Sequence, residues 1–273
     1  MTRHIGFRCS AVFAILVVVA TAGNLRAGTL LWGDDFSVDT PTDWDEYLLV
    51  DATLTVAGGE LAFSGGAMGP YGYPSMGLRL VDEAQLAPIE DVTVTCMVHL
   101  GTPDEDLYLG PVARANIVSY TPMAPPYIEG AGYGYLLSGY DRGGAGNGEA
   151  GLYLWLGTED QSLLLMGIPD TLGFTDADVY MKLTARTITA GVQLDCMMSL
   201  SADFSDPFGV ISYLHDDAEA MLDNAGQAGV IGFTPDDNDY GLYTGTLDDF
   251  AVSKPSGPGD ANDDNVVDLL DLG

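Results

Sequence analysis

From Gly28 to Ser253 the chain runs as short stretches in which apolar and polar residues alternate, with turn-forming residues every eight to twelve positions. A period of two puts successive side chains on opposite faces of an extended backbone, so each run reads as a half-buried strand. Many such runs with turn signals between them make an all-β sandwich. Strands are predicted at 75–82, 91–100, 106–118, 131–140, 150–157, 161–167, 178–187, 190–200, 227–234 and 242–252. Leu54-Thr-Val56 and Leu61-Ala-Phe63 flank Ala57-Gly-Gly-Glu60 and predict a tight hairpin. Only Asp216 to Asn224 reads as a helix, opened by paired aspartates and stopped by Gly226.

The two ends differ in character from this body. Arg3, His4 and Arg8 precede an apolar run from Ala11 to Ala22 that is shorter than the ~20 residues a membrane-spanning helix needs. That is the pattern of a cleaved secretory signal over 1–27. Cleavage is expected after Ala22 or Ala27, with Ala27 favoured because Gly28-Thr-Leu-Leu-Trp32 reads as a first strand. The expected product is secreted, extracellular or at the cell surface by bacterial-type export, with no membrane association afterwards. Lys254-Pro-Ser-Gly-Pro-Gly259 is a linker to an acidic tail at 260–273.

Forty acidic residues stand against nine lysines and arginines, and three of those nine fall in residues 1–27. Such a chain repels nucleic acid and anionic lipid, and it disfavours sulfated or uronic-acid ligands. Disorder is not implied, since 47% of residues are hydrophobic. Once Cys9 leaves with the signal, Cys96 and Cys196 remain, each on the aliphatic side of its strand. A bridge between them would close a loop of about 100 residues and contribute up to about 4.7 kcal/mol in the chain-entropy model. Two buried thiols are the open alternative.

The tail carries a distinct signal. From Asp260, oxygen-bearing side chains fall at positions one, three, five, nine and twelve: Asp260, Asn262, Asp264, Asp268 and Asp271. The Val266 carbonyl stands at position seven. That spacing wraps a twelve-residue loop around Ca²⁺, a hard cation that takes six to eight oxygens. Pro255 and Pro258 rule out an entering helix, and position twelve is Asp rather than Glu. With Val267 at position eight, this loop resembles one repeat of a type I dockerin. Dockerins are tandems of two such loops, so a cohesin-type scaffold is an expected partner only if the tail continues.

The body resembles the concanavalin A-like lectin/glucanase (laminin-G-like) superfamily. The residues that carry the resemblance are Asp34-Asp-Phe36 with Trp44, and Thr246-Leu-Asp-Asp-Phe250-Ala-Val252. Gly132-Tyr-Gly-Tyr-Leu136, Gly151-Leu-Tyr-Leu-Trp155 and Gly229-Val-Ile-Gly-Phe233 lie between them. The resemblance implies a two-sheet antiparallel jelly-roll sandwich at 28–253, terminal strands side by side, and one sheet serving as a glycan platform.

Candidate ligand-binding residues follow from alternation. Leu152, Leu154 and Leu156 share one side of their strand, so Tyr153 and Trp155 share the other. Tyr133 and Tyr135 repeat that spacing on the preceding strand, with Tyr140 at its end. Flat rings suit the C–H faces of sugars, so a polysaccharide or glycoprotein glycan is the expected partner. Asp34, Asp35, Asp248 and Asp249 form a possible second Ca²⁺ site if the terminal strands are neighbours. The superfamily's glucanases carry E-x-D-x-E on one strand, and this sequence has no such triplet, nucleophile elbow or HExxH. A non-catalytic binding module is therefore the first expectation. A glycoside hydrolase or lyase is the alternative, and an acidic, calcium-dependent matrix protein a further one.

Overall fold

The computed structural model describes residues 28–49, 51–66, 75–100, 107–121, 127–129, 134–142, 149–157, 162–172, 177–217, 221–234 and 242–255. Within them the protein is a two-sheet antiparallel sandwich of jelly-roll type. One sheet runs in the order β15 (Pro207–His215), β14 (Gly191–Ser199), β13 (Ala177–Ile188), β6 (Val92–Leu100), β17 (Leu242–Lys254), β4 (Glu60–Gly66) and β3 (Thr53–Ala57). In the same sheet β1 (Thr29–Asp34) pairs with β17. The other sheet runs β12 (Ser162–Leu172), β11 (Glu149–Gly157), β10 (Gly134–Arg142), β7 (Leu107–Ala115), β16 (Gln227–Phe233), β5 (Met76–Val81) and β2 (Trp44–Leu49). A separate hairpin joins β8 (Ser119–Thr121) to β9 (Tyr127–Glu129).

Alternation builds the core between the sheets. Val94, Cys96 and Val98 of β6, Leu152, Leu154 and Leu156 of β11, and Val192, Leu194 and Cys196 of β14 all face inward and are buried. The β3–β4 hairpin forms as its sequence requires, with Gly58 and Gly59 both at positive φ, 71° and 96°. Only glycine takes such a pair without steric cost. The first and last strands meet around an aromatic knot. Trp44 lies 5.0 Å from Trp32, 5.6 Å from Phe36 and 5.2 Å from Phe250, centroid to centroid.

The seven-stranded sheet buries part of its outer face as well. Met76, Leu78 and Leu80 of β5 join Val112, Leu136, Ile231 and Phe233 in a second apolar cluster. Tyr120 of the β8–β9 hairpin packs on this layer, its ring 5.4 Å from Tyr47 and edge-on. Its hydroxyl accepts from the Leu48 N–H at 3.0 Å and donates to the Leu48 carbonyl. Burial on both faces explains why β5 is buried at every residue.

Two expectations are corrected. Cys96 and Cys196 are both free and buried, and β13 runs between their strands. Cys96 stands opposite Met181 and Cys196 opposite Leu183. Two strand spacings separate them by about 10 Å or more, beyond the ~7 Å limit for a disulfide. Burial pushes both thiols well up from their usual range. The helix expected at 216–224 is likewise not formed among the described residues there, which carry no helical segment. One N–H, that of Met221, donates four residues back, to Asp217. Leu222 bonds instead to side chains of the sandwich, its carbonyl to Arg114 Nη1 at 2.8 Å and its N–H to Tyr135 Oη at 3.0 Å.

Candidate binding face

Strand β11 sets the face. With Leu152, Leu154 and Leu156 locked into the core, Tyr153 and Trp155 project from the outer side of the seven-stranded sheet, half-buried. Their rings are 6.1 Å apart and tilted by only 33°, forming a floor along the strand. Tyr108, from β7, stands nearly upright to both: 80° to Tyr153 at 6.2 Å and 89° to Trp155 at 5.5 Å. Phe233 of β16 stacks flat behind Tyr108 at 4.6 Å and 5°. Floor and wall make an aromatic corner, bounded toward the centre of the sheet and open toward β12.

Exposure changes sharply across this face. Leu164 of β12 is 46% exposed opposite Trp155, whereas Leu136, opposite Trp155 on the other side, is fully buried. The accessible part is thus about two strands wide, roughly 10 Å. Such a corner can stack a flat apolar ligand surface on its floor and hold the ligand's edge against Tyr108. Sequence reasoning missed Tyr108 and Phe233 because each lies on a different strand from the Tyr-x-Trp pair. Their convergence is set by the register Tyr108 to Phe233 between β7 and β16.

The other expected aromatic residues divide. Tyr135 does not join this face. It stands opposite Leu156, an inward residue, and directly opposed residues share a face, so its ring is in the core with no exposure. There it supports a buried polar chain. Its hydroxyl receives the Leu222 N–H and lies 2.9 Å from His215 Nδ1. Burial raises the Tyr135 hydroxyl to about 12 and lowers the His215 imidazole. Tyr140 pairs with Tyr108 and Gly151 in the ladder, but its side chain, like Tyr133 as a whole, lies outside the described residues.

The aspartates of the terminal strands have local roles. Asp34 accepts from Trp44 Nε1 at 3.0 Å and from the Phe36 N–H at 2.8 Å, holding Phe36 at a positive φ of 49°. Asp35 accepts from the Ser37 N–H at 3.0 Å. Asp248 accepts from the Asp249 N–H at 2.7 Å, where β17 bulges against β6. Burial lifts the Asp248 carboxyl to about 6, with Asp249, Glu60 and Asp35 adding to the rise. Among the described residues no group of three or more His, Cys, Asp or Glu side chains could hold a metal ion. Of the four carboxylates expected as a possible second Ca²⁺ site, Asp35 and Asp249 lie near enough to Asp248 to raise its carboxyl. The terminal loop, Asp260, Asn262, Asp264, Val266, Asp268 and Asp271, lies outside the described residues.

No family model matches this chain. No curated protein matches it either. Among solved structures, it is similar to the VIP36 exoplasmic/lumenal domain in its Ca²⁺/Man3GlcNAc-bound form, at 11% identity and a TM-score of 0.49 over 89% of this chain and 94% of that one. A seed lectin of Lotus tetragonolobus is similar at 10% identity and a TM-score of 0.47, covering 81% and 96%. The Emp46p carbohydrate recognition domain is similar at 8% identity and 0.47, covering 83% and 97%. No helix among the described residues is long and apolar enough to cross a membrane.

Proposed function

We propose that this protein is a secreted, non-catalytic binding module that takes a neutral polysaccharide or glycoprotein glycan on the aromatic corner of β11. The observation that carries this reading is the corner itself: two rings tilted by 33° on the outer side of a strand, with a third ring upright against them. Sugars have apolar C–H faces and polar rims, so a ring can stack on Tyr153 and Trp155 while its hydroxyls stay in water. Neutrality of the ligand follows from forty acidic residues, which disfavour an anionic chain. The reading includes export by the 1–27 signal and a dockerin-like Ca²⁺ loop at 260–271 that serves assembly or stability.

Affinity electrophoresis through gels cast with xylan, mannan or mixed-linkage glucan tests it. The protein should be retarded by at least one of these, and Tyr153→Ala with Trp155→Ala should abolish the retardation. Full retardation of the double variant would remove the corner from the account.

A further inference from the structure

We infer that Gly167 is the positioning residue of this face: the absence of a side chain on β12 lets the Tyr153 ring lie flat as part of the floor. This rests on the binding reading above and adds a residue that does not itself stack on the ligand. Gly167 stands directly opposite Tyr153 in the β11–β12 ladder, so a side chain at 167 would share the outer face with the tyrosine. A Cβ placed there would fall 2.6 Å from Tyr153 Cδ1 and 2.7 Å from Cε1, well inside contact distance.

The backbone gives no other reason for glycine at this position. Its φ is outside the left-handed region that glycine alone tolerates, so alanine would be accepted conformationally. Glycine also weakens a strand interior, and its usual justification there is close approach by another group. Here that group is an aromatic ring. One face of Tyr153 is closed by the β12 backbone, which leaves the other to continue the floor begun by Trp155 at a tilt of 33°. Swinging the ring off β12 would break that plane and change its edge contact with Tyr108.

Three variants test the assignment: Gly167→Ala, Tyr153→Ala and the two combined, each titrated with the polysaccharide that retards the parent protein. Gly167→Ala should weaken binding several-fold to about tenfold, the range that losing one aromatic contact covers. The combined variant should bind no worse than Tyr153→Ala alone, because both changes remove the same ring from the same place. Parent-like binding by Gly167→Ala, or additive losses in the combined variant, would overturn the assignment. A readout without ligand keeps the test independent of the binding reading. The Gly167 α-protons should resonate upfield under the Tyr153 ring current and return to ordinary values in Tyr153→Ala. If none of the polysaccharides binds, the proposed function fails while this shift still decides the positioning role; an ordinary shift in the parent protein would overturn it.

Discussion

Asp34 shows how much one carboxylate can organise. It caps the turn that carries Phe36 and fixes the indole of Trp44, which is only 5% exposed at the centre of the aromatic knot. Removing it leaves a buried N–H without its acceptor, a cost of about 1–3 kcal/mol. Asp34→Ala should therefore lower Tm by several degrees, by the usual ~2–4 °C per kcal/mol for a domain of this size, as read by differential scanning calorimetry. Asp35→Ala, at an exposed turn, should change Tm far less. Asp248 makes a prediction of opposite sense. Its folded pKa of about 6 exceeds the unfolded value near 3.9, so the folded state binds the extra proton and loses stability as pH rises from about 4 to 6. Asp248→Asn keeps the acceptor for the Asp249 N–H and removes the charge. It should raise Tm at pH 7 to 8 and leave it nearly unchanged at pH 4. The "Asp-Asp-Phe" pairs were legible as paired end motifs, yet their roles were not. Sequence shows carboxylates close together, whereas the turn geometry decides whether they bind a cation or the backbone.

At the level of elements, strand periodicity was a reliable guide wherever one face alone met the core. The predicted hairpin at 54–63 and the strands at 91–100, 150–157, 178–187 and 190–200 all form within a few residues of their expected bounds. β15 was missed because Pro207 and Gly209 interrupt its pattern. A proline at the first residue of an edge strand is tolerated, since its missing N–H need not join a ladder. Among the described residues of the predicted helix at 216–224 no helical segment forms, and Arg114, from β7, and Tyr135, from β10, bond the Leu222 carbonyl and N–H. That clamp gives a pH dependence. Burial lowers the His215 pKa below its unfolded value of about 6.5, against the pull of Asp216 and Asp217. The neutral imidazole therefore adds stability that is present above about pH 6.5 and lost as pH falls through the folded pKa. His215→Gln should flatten the fall in Tm between pH 6.5 and 5, measured against the parent protein across the same range.

The whole molecule combines a strongly acidic surface with a face whose accessible part is aromatic and aliphatic, and the proposed function depends on that contrast. The sandwich was legible in the sequence because a period of two survives any register. The corner was not, because Tyr108, Tyr153, Trp155 and Phe233 come together only through the order β11–β10–β7–β16. The same limit misplaced Tyr135, whose spacing matched Tyr153 while its register put it in the core. The tail is a separate matter of ion chemistry. Calorimetric titration with Ca²⁺ should give heat with residues 28–273 and none with a version ending at Ser253; heat in both would move the ion away from the 260–271 loop. The central claim is that a neutral glycan stacks on the corner, and tryptophan emission reports it most directly. Trp32 and Trp44 sit together in the knot between the terminal strands, 5.0 Å apart, while Trp155 alone belongs to the corner. Titration with the retarding polysaccharide should shift the emission in a saturable way, and Trp155→Phe should eliminate the shift. A shift that survives Trp155→Phe unchanged, or retardation with no shift in the parent protein, would contradict the account.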